Sequence, residues 1–162
     1  MSALSAGMNL GGKLIEALPK QVQPRVWQAM QASHLGLFRA SGGRLGAELG
    51  SLRILFLHHL GAKTGARRTS PLLYVEDGKN LAIIASKGGN PKHPAWFHNL
   101  KANPDTEIEM KGGRRMVHAR EARGAERERI WKKAAKAWPD YDRYQRRAPH
   151  RKIPVVVLEP RD

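Results

Sequence analysis

The hydrophobic pattern changes period near residue 40. From Pro24 to about Ala40, apolar residues recur at the spacing of one helical face, among them Val26, Met30 and Phe38. A proline suits the first turn of a helix, and the glycine-rich stretch 41–46 ends the pattern. This period predicts a helix over about 24–40. A short helix over 13–18 and a loose arm over 1–12 are expected before it.

Beyond residue 41 the apolar runs become short and are bounded by turn signals, which is typical of strands. The run at 54–57 lacks polar alternation and therefore predicts a strand buried on both faces. Asp77-Gly78 is a two-residue hairpin signal. The strands predicted in this way cover residues 54–57, 68–75, 81–85, 106–111, 114–121 and 153–158.

Three helices interrupt these strands in the prediction. One covers 93–102 and is stopped by Asn103-Pro104, a second covers 125–138, and a short one after Pro139 carries Tyr141 and Tyr144. The order contains hairpins and no alternating βαβ units, so the fold class is α+β with mostly antiparallel strands. About six strands of this length suit a small barrel closed by the last strand. The variable helical arm would be residues 1–40 and the barrel domain 41–162.

Composition narrows the functional classes. The chain has 162 residues, no cysteine and a net charge of +15. Disulfides, thiolate metal sites and cysteine nucleophiles are thereby excluded. No apolar run reaches the length of a membrane span, and residues 1–12 do not resemble a secretory signal, so a cytoplasmic location is expected. The charge favours a polyanionic partner and leaves nucleic acid, anionic lipid and an anionic cofactor open.

A cationic loop lies between the first two predicted strands. It carries Lys63, Arg67 and Arg68 between glycines that allow a tight turn. Such a turn is suited to gripping phosphate or carboxylate, because charge-assisted hydrogen bonds are strong. The alternative is a basic hairpin tip that is simply solvated. From the loop alone, the two interpretations stay open.

Later motifs favour the first interpretation, an anion-binding turn. They are G-x-K-x-G-x-x-R over 61–68, Ser86-Lys87-Gly88-Gly89, P-x-W-x-x-N-L over 94–100, the aromatic segment 138–144, and the apolar strand before Pro160. In this order, from about Phe38 to Pro160, they resemble the deazaflavin-dependent nitroreductase family. The resemblance implies a split β-barrel like that of flavin-binding oxidoreductases, and an enzyme that transfers hydride from reduced coenzyme F420 to a quinone, nitro compound or similar conjugated acceptor.

The resemblance also implies cofactor-binding residues. Lys63 and Arg68 would hold the phosphate and acidic tail of coenzyme F420, and Pro71 would be a fixed wall. Family members often carry Arg where this chain has Ala62, so the resemblance implies that one cofactor contact is missing here. Arg67 is the candidate to replace that contact. The other residues matched to the cofactor are Ser86, Lys87, Trp96 and Asn99.

A substrate pocket follows from the same resemblance. Aromatic residues matching Trp138, Tyr141 and Tyr144 line it, and the two tyrosines share a helix face because they are three residues apart. Catalytic roles fall to Ser86, Tyr141 and Tyr144, because a hydroxyl can donate a hydrogen bond or proton to the acceptor. Each residue also has a structural interpretation: Ser86 as a strand-end cap, and the tyrosines as a closure of the barrel end.

Two histidines depart from the family pattern. His58 and His59 stand where hydroxyl residues usually precede the glycine, and neighbouring strand residues point to opposite faces. They cannot easily share a metal, and His93 and His98 have the wrong spacing for one. We expect no metal, and we expect neutral histidines in the core or at its rim.

Three other functions remain as alternatives. The barrel could bind FMN or act as a cofactor carrier, or the basic charge could serve a nucleic-acid binder. The last is disfavoured because the aromatics do not interleave with the basic stretches. For the helix at 24–40 two interpretations stay open: packing on the domain, or peripheral contact with anionic lipid through an amphipathic helix with Lys20, Arg25 and Arg39.

Overall fold

The computed structural model describes residues 14–49 and 52–161. The loose arm predicted for residues 1–12 lies outside these residues. A helical turn at residues 14–16 lies within the short helix predicted over 13–18. The longer α-helices among the described residues are Gln23–Ala40 (α1), Ala95–Ala102 (α2), Gly124–Ala137 (α3) and Asp140–Arg147 (α4). The strands are Glu48–Leu49 (β1), Leu52–Leu60 (β2), Arg67–Asp77 (β3), Asn80–Ile84 (β4), Asp105–Met110 (β5), Gly113–Glu121 (β6) and Val155–Pro160 (β7).

The strands form one closed antiparallel sheet. Their order is β1-β2-β3-β4-β7-β6-β5, and β2 also pairs with β5, so β2 to β7 make a six-stranded barrel. The predicted α+β barrel of about six strands is therefore confirmed. The two-residue β1 extends the sheet outside this ring, and it was missed because so short a strand has no hydrophobic period.

The barrel interior is apolar. Leu55, Leu57, Ile83, Ile108 and Leu158 are fully buried or nearly so and point inward from five different positions on the wall. Helix α2 contributes Trp96, Phe97 and Leu100 to this same cluster. Because one short helix supplies three large side chains, α2 is held firmly against the barrel interior.

A second core lies outside the barrel wall. Helices α3 and α4 cover the outer face of β4 and β7, where Ile130 and Ala134 pack against Ile84, Val155 and Val157. Strand β7 is thus buried on both faces, and so is β2 between Ile54 and Leu57. The burial of β2 on both faces confirms the prediction made from the uninterrupted apolar run at 54–57.

The C-terminal end of α1 is fixed to the barrel. Phe38 is buried against Phe56, with ring centroids 4.9 Å apart. Arg39 makes a bidentate ion pair with Glu109 of β5, with N–O distances of 2.8 and 2.6 Å. Farther from this end, Trp27 and Met30 are about half exposed. The helix therefore packs on the domain at one end and keeps apolar side chains in solvent along its length.

Candidate active site

The cationic loop is a compact turn. The backbone N–H of Gly61 donates to the Ala66 carbonyl at 2.8 Å, and the Gly65 N–H donates to the Gly61 carbonyl at 2.7 Å. Gly65 has a φ of 65°, and a Cβ on Gly61 would lie 2.5 Å from the Thr64 hydroxyl oxygen. The turn therefore favours glycine at 65 for its backbone conformation and at 61 for the room that it leaves to the Thr64 side chain, and it presents Lys63 at the surface.

The two arginines after the turn lie on different faces of β3. Arg68 is paired with His59 across the ladder, on the face that continues inward to Tyr74. Arg67 directly precedes Arg68 on the strand, so its side chain points to the opposite face of β3. Both are exposed. The structure therefore brings Arg68, but not Arg67, to the mouth of the barrel beside the turn.

Helix α2 is tied to the turn through Asn99. The side-chain oxygen of Asn99 accepts a hydrogen bond from the Ala62 N–H at 2.9 Å, and its amide nitrogen lies 2.9 Å from His59 Nδ1. His59 Nε2 lies 3.0 Å from the Ser70 hydroxyl oxygen. Three side chains thus connect β2, β3 and α2 to the backbone beside Lys63.

His59 is neutral in this network. Burial lowers the pKa of His59 to about 4, and the nearby Arg68 and His58 act in the same direction. His58 faces outward, where its ring contacts Thr69 and Glu109. The prediction that the two histidines face opposite sides, and that one is a neutral core or rim residue, is confirmed.

Ser86 begins an unusual turn after β4. Ser86 is in the right-handed helical region, whereas Lys87, Gly88 and Gly89 have φ values of 48°, 62° and 82°. A lysine in the left-handed region costs about 1 kcal/mol. The Ser86 side chain makes no capping hydrogen bond to the turn, and the residue is only 9% exposed.

Arg151 holds this turn in place. Its guanidinium donates to the carbonyl oxygens of Ser86 and Asn90 at 2.7 and 2.9 Å, and to that of Ala85 at 3.3 Å. The same group lies 2.9 Å from His93 Nδ1. Sequence reasoning missed Arg151, because a lone arginine before the last strand carries no motif.

The aromatic segment packs on the outer core. Trp138, Tyr141 and Tyr144 are each less than a tenth exposed and belong to the cluster under α3 and α4. The rings of Tyr141 and Tyr144 meet edge to face with centroids 6.2 Å apart. Gly89 of the Ser86 turn touches the backbone of Tyr144, because a Cβ there would lie 2.7 Å from its carbonyl oxygen.

Tyr141 keeps its proton. Burial raises the pKa of the Tyr141 hydroxyl, with a further contribution from Tyr144. Within residues 14–49 and 52–161, no hydrogen bond to this hydroxyl is formed. A cleft of about 10 Å³ lies beside the ring, between Leu73, Val75 and Ile84. That volume suits a single water, so an acceptor ring would have to displace α4 or approach from its solvent edge.

The predicted site residues form two groups. Lys63 and Arg68 lie on and just after the turn that Asn99 bonds at Ala62, and Ser86 and Lys87 belong to the turn whose Gly89 touches Tyr144 of α4. Trp96 lies in the interior cluster, apart from Trp138, Tyr141 and Tyr144. Pro71 pairs with Phe56 on β2 and points outward like Arg67. The roles predicted for these residues stay predictions.

The closed six-stranded antiparallel barrel with flanking helices is a barrel of the split-barrel class. The model of the F420H(2)-dependent quinone reductase family matches residues 30–160. The chain belongs to this family, which is a family of oxidoreductases.

Three relatives illustrate the match. An F420H(2)-dependent quinone reductase of Mycobacterium tuberculosis is 42% identical over 129 residues, covering 77% of this chain and 86% of that protein. A solved F420-H2 dependent reductase is 43% identical, with a TM-score of 0.60, over 65% of this chain and 93% of its own. A structure described as a domain-swapped dimer is 37% identical, with a TM-score of 0.63, over 84% of this chain and 99% of its own.

Proposed function

We propose that this protein transfers a hydride from reduced coenzyme F420 to a quinone or a similar conjugated acceptor such as a nitro compound. The observation that carries the proposal is the pairwise contact between the four matched segments. The Lys63 turn is hydrogen-bonded to α2 through Asn99, and the Ser86 turn rests on α4 beside Tyr144. Segments far apart in the sequence thus supply the two halves expected of such a site.

The residues at the turn fit an anionic cofactor. Lys63, Arg67 and Arg68 are exposed and form no ion pair with a carboxylate of the described residues, whereas Arg39 and Arg120 are engaged in bidentate pairs. Cations without internal partners are free to neutralise phosphate and carboxylate groups. Lys63 and Arg68 would hold the acidic tail, and Ser86 and Lys87 would lie along the rest of the cofactor. Arg67 and Pro71 point outward from β3, Trp96 belongs to the interior cluster, and the Asn99 amide is engaged by Ala62 and His59, so we assign none of the four a direct contact.

The chemistry is divided between cofactor and protein. Reduced coenzyme F420, when bound, supplies the hydride. Reduction of a quinone develops negative charge on oxygen, and a neutral hydroxyl stabilises that charge or delivers a proton. Tyr141 is suited to this role because burial keeps it protonated and leaves its hydroxyl without a partner among the described residues. Ser86 offers a second hydroxyl, free of any capping bond.

A titration with three ligands tests the cofactor assignment. Coenzyme F420 should quench the tryptophan fluorescence of the protein at lower concentration than FMN, because FMN lacks the acidic tail. Binding should weaken as salt rises, since the contacts are charge-assisted and partly exposed. Single-stranded DNA is the third ligand. Tighter binding of FMN would refute the proposal, and tighter binding of DNA would assign the +15 charge to nucleic acid.

We also propose peripheral contact with an anionic membrane surface through the N-terminal arm. Trp27, Met30 and Leu37 of α1 are 45–52% exposed, and Arg25 lies on the same helix. Exposed apolar side chains beside cations are typical of helices that lie in a membrane interface. Among the described helices, none is both long and apolar enough to cross a bilayer.

A further inference from the structure

The strand before the cationic turn ends in a buried polar residue. Strand β2 sends Leu55 and Leu57 into the barrel, and His59 is the next position on that inward face. His59 is only 6% exposed, although it lies three residues before the exposed Ala62. A histidine buried so close to a surface turn is costly unless both ring nitrogens are paired.

The hydrogen bonds fix the tautomer of this ring. The Ala62 N–H can only donate, so the Asn99 atom that faces it is the side-chain oxygen. The other end of that amide is therefore the nitrogen, which donates to His59 Nδ1 at 2.9 Å. Nδ1 must be unprotonated, and the proton is on Nε2, from which it is donated to the Ser70 hydroxyl oxygen at 3.0 Å.

Building on the proposed function, we infer that His59 and Asn99 are a positioning pair that holds the turn from Gly61 to Ala66, and with it Lys63 and Arg68, in the geometry that grips the anionic part of the cofactor. Neither residue needs to touch the cofactor for this role. His59 orients the Asn99 amide, and Asn99 fixes the backbone one residue before Lys63.

The inference has a consequence for pH. A proton on Nδ1 would set two donors against each other, because the Asn99 nitrogen cannot accept. The cation Arg68 and the neighbouring His58 both lower the pKa of His59, and the side chains that contact its ring, Ser70 and Asn99, are neutral. None of these groups stabilises the protonated form of the His59 ring. Protonation near pH 4 should therefore break the Asn99 contact and release the turn.

Two variants distinguish the positioning role of His59 from its contribution to packing. His59→Asn places a side-chain oxygen near Nδ1, so it keeps an acceptor for Asn99 but cannot titrate. His59→Leu keeps apolar bulk and removes the acceptor. We expect His59→Leu to weaken coenzyme F420 binding about tenfold, because the Asn99 nitrogen is left unpaired and the turn is loosened. His59→Asn should bind like the wild type at pH 7 and should lack the additional loss of affinity that we expect of the wild type between pH 5 and 4. His58→Asn, on the opposite face, is the matched control and should leave affinity unchanged.

A readout without cofactor distinguishes this inference from the proposed function. Hydrogen exchange at the Ala62 amide, followed by NMR on the free protein, should be faster in His59→Leu than in the wild type and in His59→Asn. Imidazole ¹⁵N shifts should show the Nε2–H tautomer. Unchanged exchange at Ala62 and unchanged affinity in His59→Leu would overturn the inference while leaving the cofactor assignment intact. A wild-type protein that ignores coenzyme F420 would refute the proposed function, and the Ala62 exchange would still decide whether the pair holds the turn.

Discussion

Gly89 and Tyr144 are in backbone contact: a Cβ on Gly89 would lie 2.7 Å from the Tyr144 carbonyl oxygen and 3.0 Å from its Cα. This contact joins the Ser86 turn to the helix that carries the proposed substrate-binding tyrosines. Backbone atoms cannot move aside as the end of a flexible side chain can. The identity of residue 89 therefore controls how closely α4 approaches Ser86.

Gly89→Ala tests this contact against Gly88→Ala. Both positions have a positive φ, 82° and 62°, so both variants incur backbone strain of about 1 kcal/mol. Only Gly89 has neighbours within 4 Å of the added methyl. We expect Gly89→Ala to lower the free energy of unfolding by about 1–3 kcal/mol more than Gly88→Ala does, measured by urea denaturation. Equal losses in the two variants would show that strain, and not the contact with α4, governs this turn.

The elements were predictable because their signals are local. Alternation, turn residues and Pro24 lie within a few positions of the structure that they specify. At most of their ends, the observed strands are longer than the predicted ones by a few residues. The pairings that build the site are different in kind. Ala62 meets Asn99 across 37 residues, and Arg39 meets Glu109 across 70. Such contacts depend on how the sheet closes, which no local pattern records.

Sequence reasoning missed Arg151, which acts on backbone atoms of another segment. Arg151 donates to three carbonyl groups that are 61–66 residues away. His59 was expected as a neutral core or rim residue, whereas the family resemblance assigned its partner Asn99 a role in binding the cofactor. The structure shows that the Asn99 amide already bonds Ala62 and His59, which is a use that its sequence motif does not reveal.

Lys63→Ala and Arg68→Ala should weaken binding of coenzyme F420. Loss of one charge-assisted contact costs about 1.5–3 kcal/mol, or about ten- to a hundredfold in Kd. Lys79→Ala is the matched control, because Lys79 is also exposed in a hairpin turn but joins β3 to β4. Fluorescence titration in one buffer gives the three constants. If the three variants bind alike, the cationic turn is only a solvated hairpin tip.

Glu109→Gln should loosen the contact of α1 with the barrel. Arg39 and His58 lower the pKa of Glu109 to about 2 from an ordinary value of 4.5. The contribution to stability is therefore complete above about pH 4.5 and is lost as the pH falls toward 2. Since Arg39 is about half exposed, we expect a loss of about 1–2 kcal/mol at pH 7.

Urea denaturation at pH 7 and pH 3 measures this contribution, and limited proteolysis reports on α1 directly. Glu107→Gln is the control, because Glu107 lies two residues away on the same strand but is more exposed, at 36% against 8% for Glu109. Cleavage within α1 should become faster in Glu109→Gln only. The ion pair does not anchor the helix if both variants are cleaved at the wild-type rate.

A double variant, Trp27→Gln with Met30→Gln, should reduce sedimentation with anionic vesicles. Both side chains are about half exposed, so the barrel should keep its stability and its affinity for coenzyme F420. Deletion of residues 1–19 should likewise leave a folded domain that binds the cofactor. Vesicles of neutral lipid are the control, and rising salt should weaken binding to the anionic ones. Equal sedimentation of the wild type and the double variant would show that this face does not meet the membrane.

Tyr141 offers the sharpest test of the chemistry. Tyr141→Phe keeps the ring and its contact with Tyr144 but removes the hydroxyl, for which the described residues provide no partner, so stability should change by less than about 0.5 kcal/mol. Turnover should fall about 10- to 100-fold with little change in cofactor affinity, because the lost donor acts on charge that develops during reduction. Tyr141→Ala should lower both turnover and stability, since an aromatic side chain leaves the core. Rapid mixing of the reduced, cofactor-bound protein with menadione, followed by the absorbance of the cofactor, measures the rate directly. If Tyr141→Phe oxidises the cofactor as fast as the wild type, the hydroxyl has no chemical role and the ring serves only as a wall of the pocket.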